Sequence, residues 1–338
     1  MKSLQVAVLG AGRIGSYHVE LLERQVEGVQ VRGVYDLDRS RAQAVVEKFE
    51  LPRLYTSVED ALDDGEVDVV LIASSTDQHA PQIKQAAAAG KHIFCEKPID
   101  LQLDAIDDAL AAVKKRGVHL HVGFNRRFDR NFAEMKRLLE TGAIGAPHVL
   151  RITSRDPSPP PAEYVKASGG IFKDMMIHDL DMARFLLGPE VESVTAFGSV
   201  MIDPAIGEAG DVDTAIAILR YRSGAQAIIE NSRQAPYGYD QRIEVHGEKG
   251  VLNADNMRDH TVTLGDDKGY HNPALPRFFV ERYHQAYVNQ FRMFVETLSR
   301  SGQPMPVTGE DGRAAVLLAE ACARSLKEGR TVRLEEMV

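Results

Sequence analysis

No apolar run in the 338 residues approaches the roughly 18 that a membrane helix needs, so no span is expected. Positive charge is also scarce. Lys and Arg number 40 against 49 Asp and Glu, a formal net charge of -9, and no basic stripe follows the chain. Without such a stripe there is nothing to track a phosphate backbone, and nucleic acid is not an expected partner. Lys114, Lys115 and Arg116 do cluster, but at the end of a helical pattern, where cations answer the helix dipole. Cysteine is nearly absent. Cys95 lies in the apolar run Ile93–Cys95, and Cys322 stands alone, so neither a disulfide framework nor a metal site is expected. After Met1–Lys2–Ser3 the chain enters an apolar strand at once. With no basic segment leading into a long apolar stretch, no signal peptide is expected and a cytoplasmic protein is the simplest placement. Low-complexity segments and internal repeats are missing as well.

What the chain does have is length and ordinary globular composition. A 44% hydrophobic content can fill a core, and 338 residues exceed one typical domain. The first third alternates strand and helix patterns: strands at 4–9, 29–35, 67–73, 92–95 and 118–122, helices at 14–24, 77–89 and 102–116. Gly90 is placed to end the second of these helices. Alternation of this kind gives a parallel sheet with helices on both faces. Past Gly123 the pattern changes. A helix at 128–140 and a strand at 148–155 lead into the proline-rich loop 156–161, and a helix follows at 172–187. Strands then predominate, at 191–200, 214–221, 225–231, 242–246 and 262–264, with a hairpin turn at Arg222–Gly224. Helices at 281–300 and 309–327 close the chain. The expected architecture is α/β: a doubly wound Rossmann domain over residues 1–123, then an α+β domain with a mostly antiparallel sheet over 124–338.

Gly10–Ala11–Gly12–Arg13–Ile14–Gly15 matches G-x-G-x-x-G. The pattern alone is weak, but here it follows a strand and opens a helix, the context it requires. Gly10 would permit the tight turn, Gly12 the approach of a pyrophosphate, and Gly15 close packing of helix on strand. The helix N-terminus supplies N–H donors for the phosphates. Asp36 follows the second strand, where a carboxylate reads the ribose 2′-OH, so NAD is expected over NADP. Arg39 and Arg41 lie close enough to soften that preference.

Two further constellations carry chemistry. Glu96–Lys97–Pro98 follows the strand ending at Cys95, at the sheet edge where α/β folds bind ligands. A surface turn fits the same tripeptide equally well. Asp174 and His178 stand four apart, so on a helix they share a face. A carboxylate that orients an imidazole makes a general base, although a helix with solvated acids and a core histidine fits these residues too. Asp179 and Asp181 read as structural.

Taken together, Gly10–Gly15, Cys95–Pro98, the segment Gly123–Asp129 and the segment from Gly169–Gly170 through Asp181 resemble the glucose-fructose oxidoreductase/inositol dehydrogenase family over nearly the whole chain. Asn125–Arg126–Arg127 and Tyr237–Gly238–Tyr239–Asp240 resemble its inositol-oxidising branch. The resemblance implies NAD-dependent oxidation of a secondary hydroxyl of myo-inositol or a related inositol, a role in inositol catabolism, an open sheet in the second domain, and a homotetramer. It implies Lys97, Asp174 and His178 as catalytic residues. Cofactor contacts would come from Gly10, Gly12, Arg13, Ile14, Gly15, Asp36, Ser74, Ser75, Thr76, His79, Glu96 and Lys97. Arg127, Asp156 and Tyr237 would join Lys97, Asp174 and His178 on the substrate side. No metal is required, because Lys97 and His178 supply the electrostatics. Another sugar or polyol dehydrogenase of the family, for glucose or xylose, and a non-catalytic dinucleotide-binding regulator remain open alternatives.

Overall fold

A computed structural model describes residues 3–300 and 302–337; Met1 and Lys2, on which part of the leader argument rests, lie outside them. The chain divides into two compact units, Met1–Asn125 with Tyr287–Val316 and Arg126–Ala286 with Leu317–Val338. The first boundary is two residues from the expected one. The return of Tyr287–Val316 to the first unit was not expected.

The first unit comprises β1 (Leu4–Leu9), α1 (Arg13–Gln25), β2 (Val29–Tyr35), α2 (Arg39–Phe49), β3 (Arg53–Leu54), α3 (Val58–Leu62), β4 (Val69–Ile72), α4 (Thr76–Ala88), β5 (His92–Cys95), α5 (Leu103–Arg116) and β6 (Leu120–Val122). Its six strands are all parallel, in the order β3-β2-β1-β4-β5-β6. The chain reverses direction between β1 and β4, the switch point at which a doubly wound sheet opens a crevice. Every residue of β4 is buried, which explains its unbroken apolar run. Lys114–Arg116 occupy the last turn of α5, before Gly117 in the left-handed conformation. Helix α2 went unread in the sequence, although Asp38 caps it by accepting the Ser40 N–H.

In the second unit a 3₁₀ turn (Asn125–Phe128, its first residue in the first unit) precedes α6 (Arg130–Glu140), β7 (Pro147–Arg155), α7 (Ala162–Ser168), a π-helical turn (Phe172–Met176), α8 (Ile177–Leu187), β8 (Val191–Ser199), α9 (Pro204–Glu208), β9 (Thr214–Tyr221), β10 (Gln226–Ser232), β11 (Asp240–Gly247), β12 (Gly250–Ala254), β13 (Leu264–Asp266) and β14 (Gly269–His271). Helices α10 (Phe279–Ser299) and α11 (Gly309–Glu328), β15 (Val332–Arg333) and a terminal 3₁₀ turn (Leu334–Met337) complete the chain. The main sheet runs β12-β11-β7-β10-β9-β8-β15, and only the β7–β10 pairing is parallel. Leu150, Ile152 and Ser154 of β7, and Ala227, Ile229 and Asn231 of β10, are buried on the face that α8 crosses. The opposite face leaves Phe197 61% exposed, with Ile216 and Ile218 beside it in register.

The unit boundary has a packing reason. Phe291 and Phe294 of α10 lie 4.7 and 5.6 Å from the Phe94 ring of β5. Gln290 hydrogen-bonds the His121 ring and the Val122 carbonyl of β6. These contacts span about 170 to 200 positions, beyond the reach of any local pattern. Three smaller differences have local causes. The Pro157–Pro161 run ends in α7, which Gly169 stops at φ 83°. Helix 172–187 opens with a π turn, a widened turn that is frequent at functional sites. The strand expected at 262–264 begins only at Leu264, in the small β13–β14 hairpin.

Candidate active site

One constellation is the turn after β1. Gly10 has φ 106°, and a Cβ there would fall 2.4 Å from the Ala73 carbonyl oxygen. A Cβ on Gly15 would fall 1.9 Å from the Gly10 oxygen. Both glycines are therefore required by protein packing. Gly12 differs, since a Cβ there meets nothing within 4 Å. Gly12 is also the N-cap of α1 and caps it with no side chain. Open space in front of uncapped helix N–H groups is what a pyrophosphate requires, so these residues fit the dinucleotide. Asp36 completes the cradle. Its Oδ2 accepts the Ala11 N–H at 2.6 Å and its Oδ1 the Asp38 N–H at 2.8 Å. One lone pair on each oxygen is left for ribose hydroxyls. Arg13 is exposed and Ile14 half-buried at the start of α1. Arg41 is paired with Asp38 at 3.2 Å.

Ser74, Ser75 and Thr76 form the adjoining loop, from the end of β4 into α4. Ser74 donates to Gln82, while Ser75 is exposed. His79 is a different case. Its ring is buried, with nitrogens 2.7 and 3.0 Å from the carbonyl oxygens of Pro98 and Ser74. Burial lowers its pKa. His79 therefore braces the loops after β4 and β5, and the expected direct cofactor contact gives way to this role.

Glu96 is likewise turned inward. Its Oε1 lies 2.6 Å from His18 Nε2, and its Oε2 accepts the Lys97 N–H. His18 is fully buried among Phe94, Tyr287 and Phe291, so Glu96 anchors α1 to the end of β5. A Cβ on Gly123 would come within 2.9 Å of that carboxylate, which accounts for the glycine. Lys97 is half-buried at the carboxyl end of β5 and precedes a cis Lys97–Pro98 bond.

A separate constellation lies in the second unit. Asp174 sits in the π turn and His178 in the first turn of α8. Both are half-buried, while their neighbours Met175, Met176 and Ile177 are buried. Asp174 Oδ1 accepts the Tyr164 hydroxyl at 2.9 Å, and Oδ2 accepts from Arg233 Nη1 at 3.3 Å. Asp156 follows β7 directly. Its carboxyl is raised to about 6, chiefly by burial, with Asp174 and Asp179 adding to the shift and Arg233 and Arg126 opposing it. The structure thus brings Asp156 and Asp174 into one electrostatic cluster.

Two expected substrate residues are not in this cluster. Arg127 forms a bidentate pair with Asp181, at 2.5 and 2.8 Å, with Asp181 1% exposed. Its guanidinium also lies 5.3 Å over Phe185. A fork engaged in this way anchors α8. Tyr237 is 52% exposed, and its hydroxyl donates to Asp240 and accepts from Arg155. It lines an open cavity of about 460 Å³ with Arg242, Asn256 and Arg258. The tyrosines that feel Asp156 are Tyr164 and Tyr239, and Tyr239 is buried and also feels Arg126. Gly238, at φ 127°, separates Tyr237 from Tyr239 before β11 begins. Tyr164, Asp211 and Arg233 carried no local signal in the sequence, and Tyr239 entered only within the segment Tyr237–Asp240.

Asp179 and Asp181, read from the sequence as structural candidates, are both engaged by partners within the protein. Asp179 is fully buried and accepts from Arg126 (2.5 Å), Ser154 (2.6 Å) and Asn231 (2.8 Å). It ties α8 to β7 and β10. Both Asp179 oxygens are thereby satisfied, as a buried carboxylate requires.

The chain is similar to known proteins over its whole length. Residues 4–124 match the oxidoreductase family with an NAD-binding Rossmann fold, and residues 132–253 the GFO/IDH/MocA C-terminal domain. The chain is 48% identical to a myo-inositol 2-dehydrogenase of Thermotoga maritima, covering 99% of this chain and all of that protein. It is 45% identical to an inositol 2-dehydrogenase of Rhizobium meliloti, covering 98% of this chain and 99% of that one. The crystal structure of scyllo-inositol dehydrogenase from Lactobacillus casei with bound NAD(H) and scyllo-inositol superimposes with a TM-score of 0.92. It shares 28% identity and covers 99% of this chain and all of the other.

Proposed function

The chain belongs to the GFO/IDH/MocA oxidoreductase family, and on that premise we propose that it oxidises a secondary ring hydroxyl of myo-inositol to the ketone, with NAD. The observation that carries this reading is the match over whole chains to inositol-oxidising relatives. Gly10, Gly12, Gly15 and Asp36 hold the cofactor, with Ser74–Thr76 beside them. Bound NAD supplies the hydride acceptor. His178 takes the hydroxyl proton as general base, and Asp174 orients and stabilises the imidazolium that results. Lys97 hydrogen-bonds the same oxygen and stabilises the charge that develops on it. Asp156 and Tyr239 hold further ring hydroxyls.

The test is reduced-nicotinamide absorbance across a panel of inositols and aldoses, with NAD and with NADP. Myo-inositol with NAD should give the highest kcat/KM. An aldose that outperforms every inositol would move the assignment to a sugar dehydrogenase, and no turnover with any polyol would favour the regulator.

The open sheet face bearing Phe197, Ile216 and Ile218 fits a second copy of the chain, and a homotetramer built on it is part of this reading. Light scattering on wild type and Phe197→Glu checks it: a tetramer for the first, smaller species for the second. Among the described residues no helix is long and apolar enough to cross a membrane, and the cytoplasm is the proposed location.

A further inference from the structure

The residue that organises the constellation in the second unit is one that no motif marks. Arg233 follows β10, and only 1% of its side chain is exposed. Its Nη1 donates to Asp174 Oδ2 at 3.3 Å, and its Nη2 lies 3.6 Å from Asp211 Oδ2. Asp211 in turn accepts the Ile171 N–H through Oδ1 at 3.1 Å. Gly170, at φ 80°, lets the chain pass, since a Cβ there would sit 2.8 Å from that same oxygen. One guanidinium therefore spans from the turn that begins the π-helical segment to the carboxylate at its centre. Nε and Nη2 of Arg233 make no hydrogen bond among the described residues, so the contact to Asp174 is its directional one.

We infer that Arg233 is a positioning residue of this site: it fixes the Asp174 carboxylate relative to Asp211, and its charge faces the third carboxyl, Asp156. The inference rests on the assignment of Asp174 and His178 to the reaction. Its physical basis is that a buried charge persists only when paired, and three carboxylates around one guanidinium leave an excess of negative charge. Two of the carboxyls lack a guanidinium hydrogen bond; Asp211 accepts the Ile171 N–H and lies 3.6 Å from Nη2, so Asp156 is the one that takes a proton most readily. The groups facing it are Arg233, Arg126, Asp174, Asp179, Tyr164 and Tyr239. Of these, Arg233 is the largest influence that favours its ionised form.

Two variants test the inference with opposite signs. Arg233→Gln removes the cation and should move the Asp156 titration up by about one unit. Asp211→Asn keeps an oxygen for the Ile171 N–H but removes a competing charge, so it should move the titration down by about half a unit. Carbon-13 NMR of the protein labelled at aspartate carboxyls reads this without substrate, with Asp156→Asn providing the assignment. The acid limb of kcat/KM should follow the same two directions. In Arg233→Gln kcat should fall about tenfold with NAD affinity unchanged, and Arg233→Lys should restore the titration but not all of kcat. A purely structural arginine would lower Tm and leave the Asp156 titration in place; that result, or shifts of one sign in both variants, overturns the inference. Should Arg233→Gln fail to fold, the downward shift in Asp211→Asn decides alone. The NMR arm stands even if no polyol is turned over, so failure of the functional assignment is distinguishable from failure of this one.

Discussion

Arg127 and Asp181 form a closed, two-bonded ion pair, with Nη2 to Oδ1 at 2.5 Å and Nε to Oδ2 at 2.8 Å. The pair joins the turn before α6 to α8, the helix that carries His178. Arg127→Ala would remove the forked partner of a buried carboxylate, a loss on the order of 3–5 kcal/mol. The expected outcome is a markedly lower Tm, with KM for the polyol within about threefold of wild type in enzyme that remains folded. A KM raised more than tenfold at unchanged Tm would return Arg127 to the substrate side.

Glu96 is expected to behave in the same way. Its hydrogen bond to the buried His18 is within the protein, so Glu96→Gln should lower stability by about 1–3 kcal/mol, the cost of impairing a buried charged hydrogen bond. The NAD dissociation constant should change little. Calorimetry with and without NAD separates the two effects, and a loss of NAD affinity without loss of stability would contradict the inward role.

Asp36 is expected to set the preference for NAD. Asp36→Ser should weaken NAD binding roughly tenfold, about 1.4 kcal/mol, as lost charged hydrogen bonds do. NADP binding should fall less, because the carboxylate that repels a 2′-phosphate is gone. Titration of both cofactors by fluorescence checks this. If wild type prefers NADP, Arg39 or Arg41 governs the ribose end instead.

The chemistry rests on His178. His178→Ala should lower kcat by about 10² to 10⁴, the range for a positioned general base, with NAD affinity nearly unchanged. A histidine that merely packs would cost stability and leave kcat intact. Measuring kcat, NAD affinity and Tm on one preparation distinguishes these outcomes, and wild-type turnover by folded His178→Ala removes the base from the mechanism.

Asp156 makes stability depend on pH in a definite direction. Burial raises its folded-state pKa to about 6 from an ordinary 3.8. The folded state then binds the proton more tightly than the unfolded chain. Stability is full below the unfolded value and is lost as pH rises from about 4 through 6. Asp156→Asn removes that loss. It should be more stable than wild type at pH 8 by on the order of 2 kcal/mol and equal to it near pH 4. Denaturation midpoints at the two pH values test this, and equal gains at both would show that charge is not the cause.

The sequence by itself determined what local rules can encode. Backbone demands at Gly10 and Gly15 allow no side chain, so the phosphate turn is written in consecutive residues. Strand and helix periods placed β1, β2, β5 and β9 to the residue, because an apolar pattern and its flanking turns are short-range features. Asp174 and His178 were legible together because four residues is about one helical turn, although the first lies in the π turn and the second in α8.

Only the tertiary structure decided what each charged group does. Arg127, Glu96 and His79 carry the residue types of a binding site, yet their partners Asp181, His18 and the Pro98 carbonyl satisfy them within the protein. Tyr237 and Tyr239 are two apart and would share a face in a strand, but both precede β11 and Gly238, at φ 127°, separates them. Arg233, Asp211 and Tyr164 are too far apart in sequence for any period to relate them to Asp174 or Asp156. A hydrogen bond or an ion pair depends on distance in space, and periodicity carries no information about distance between elements.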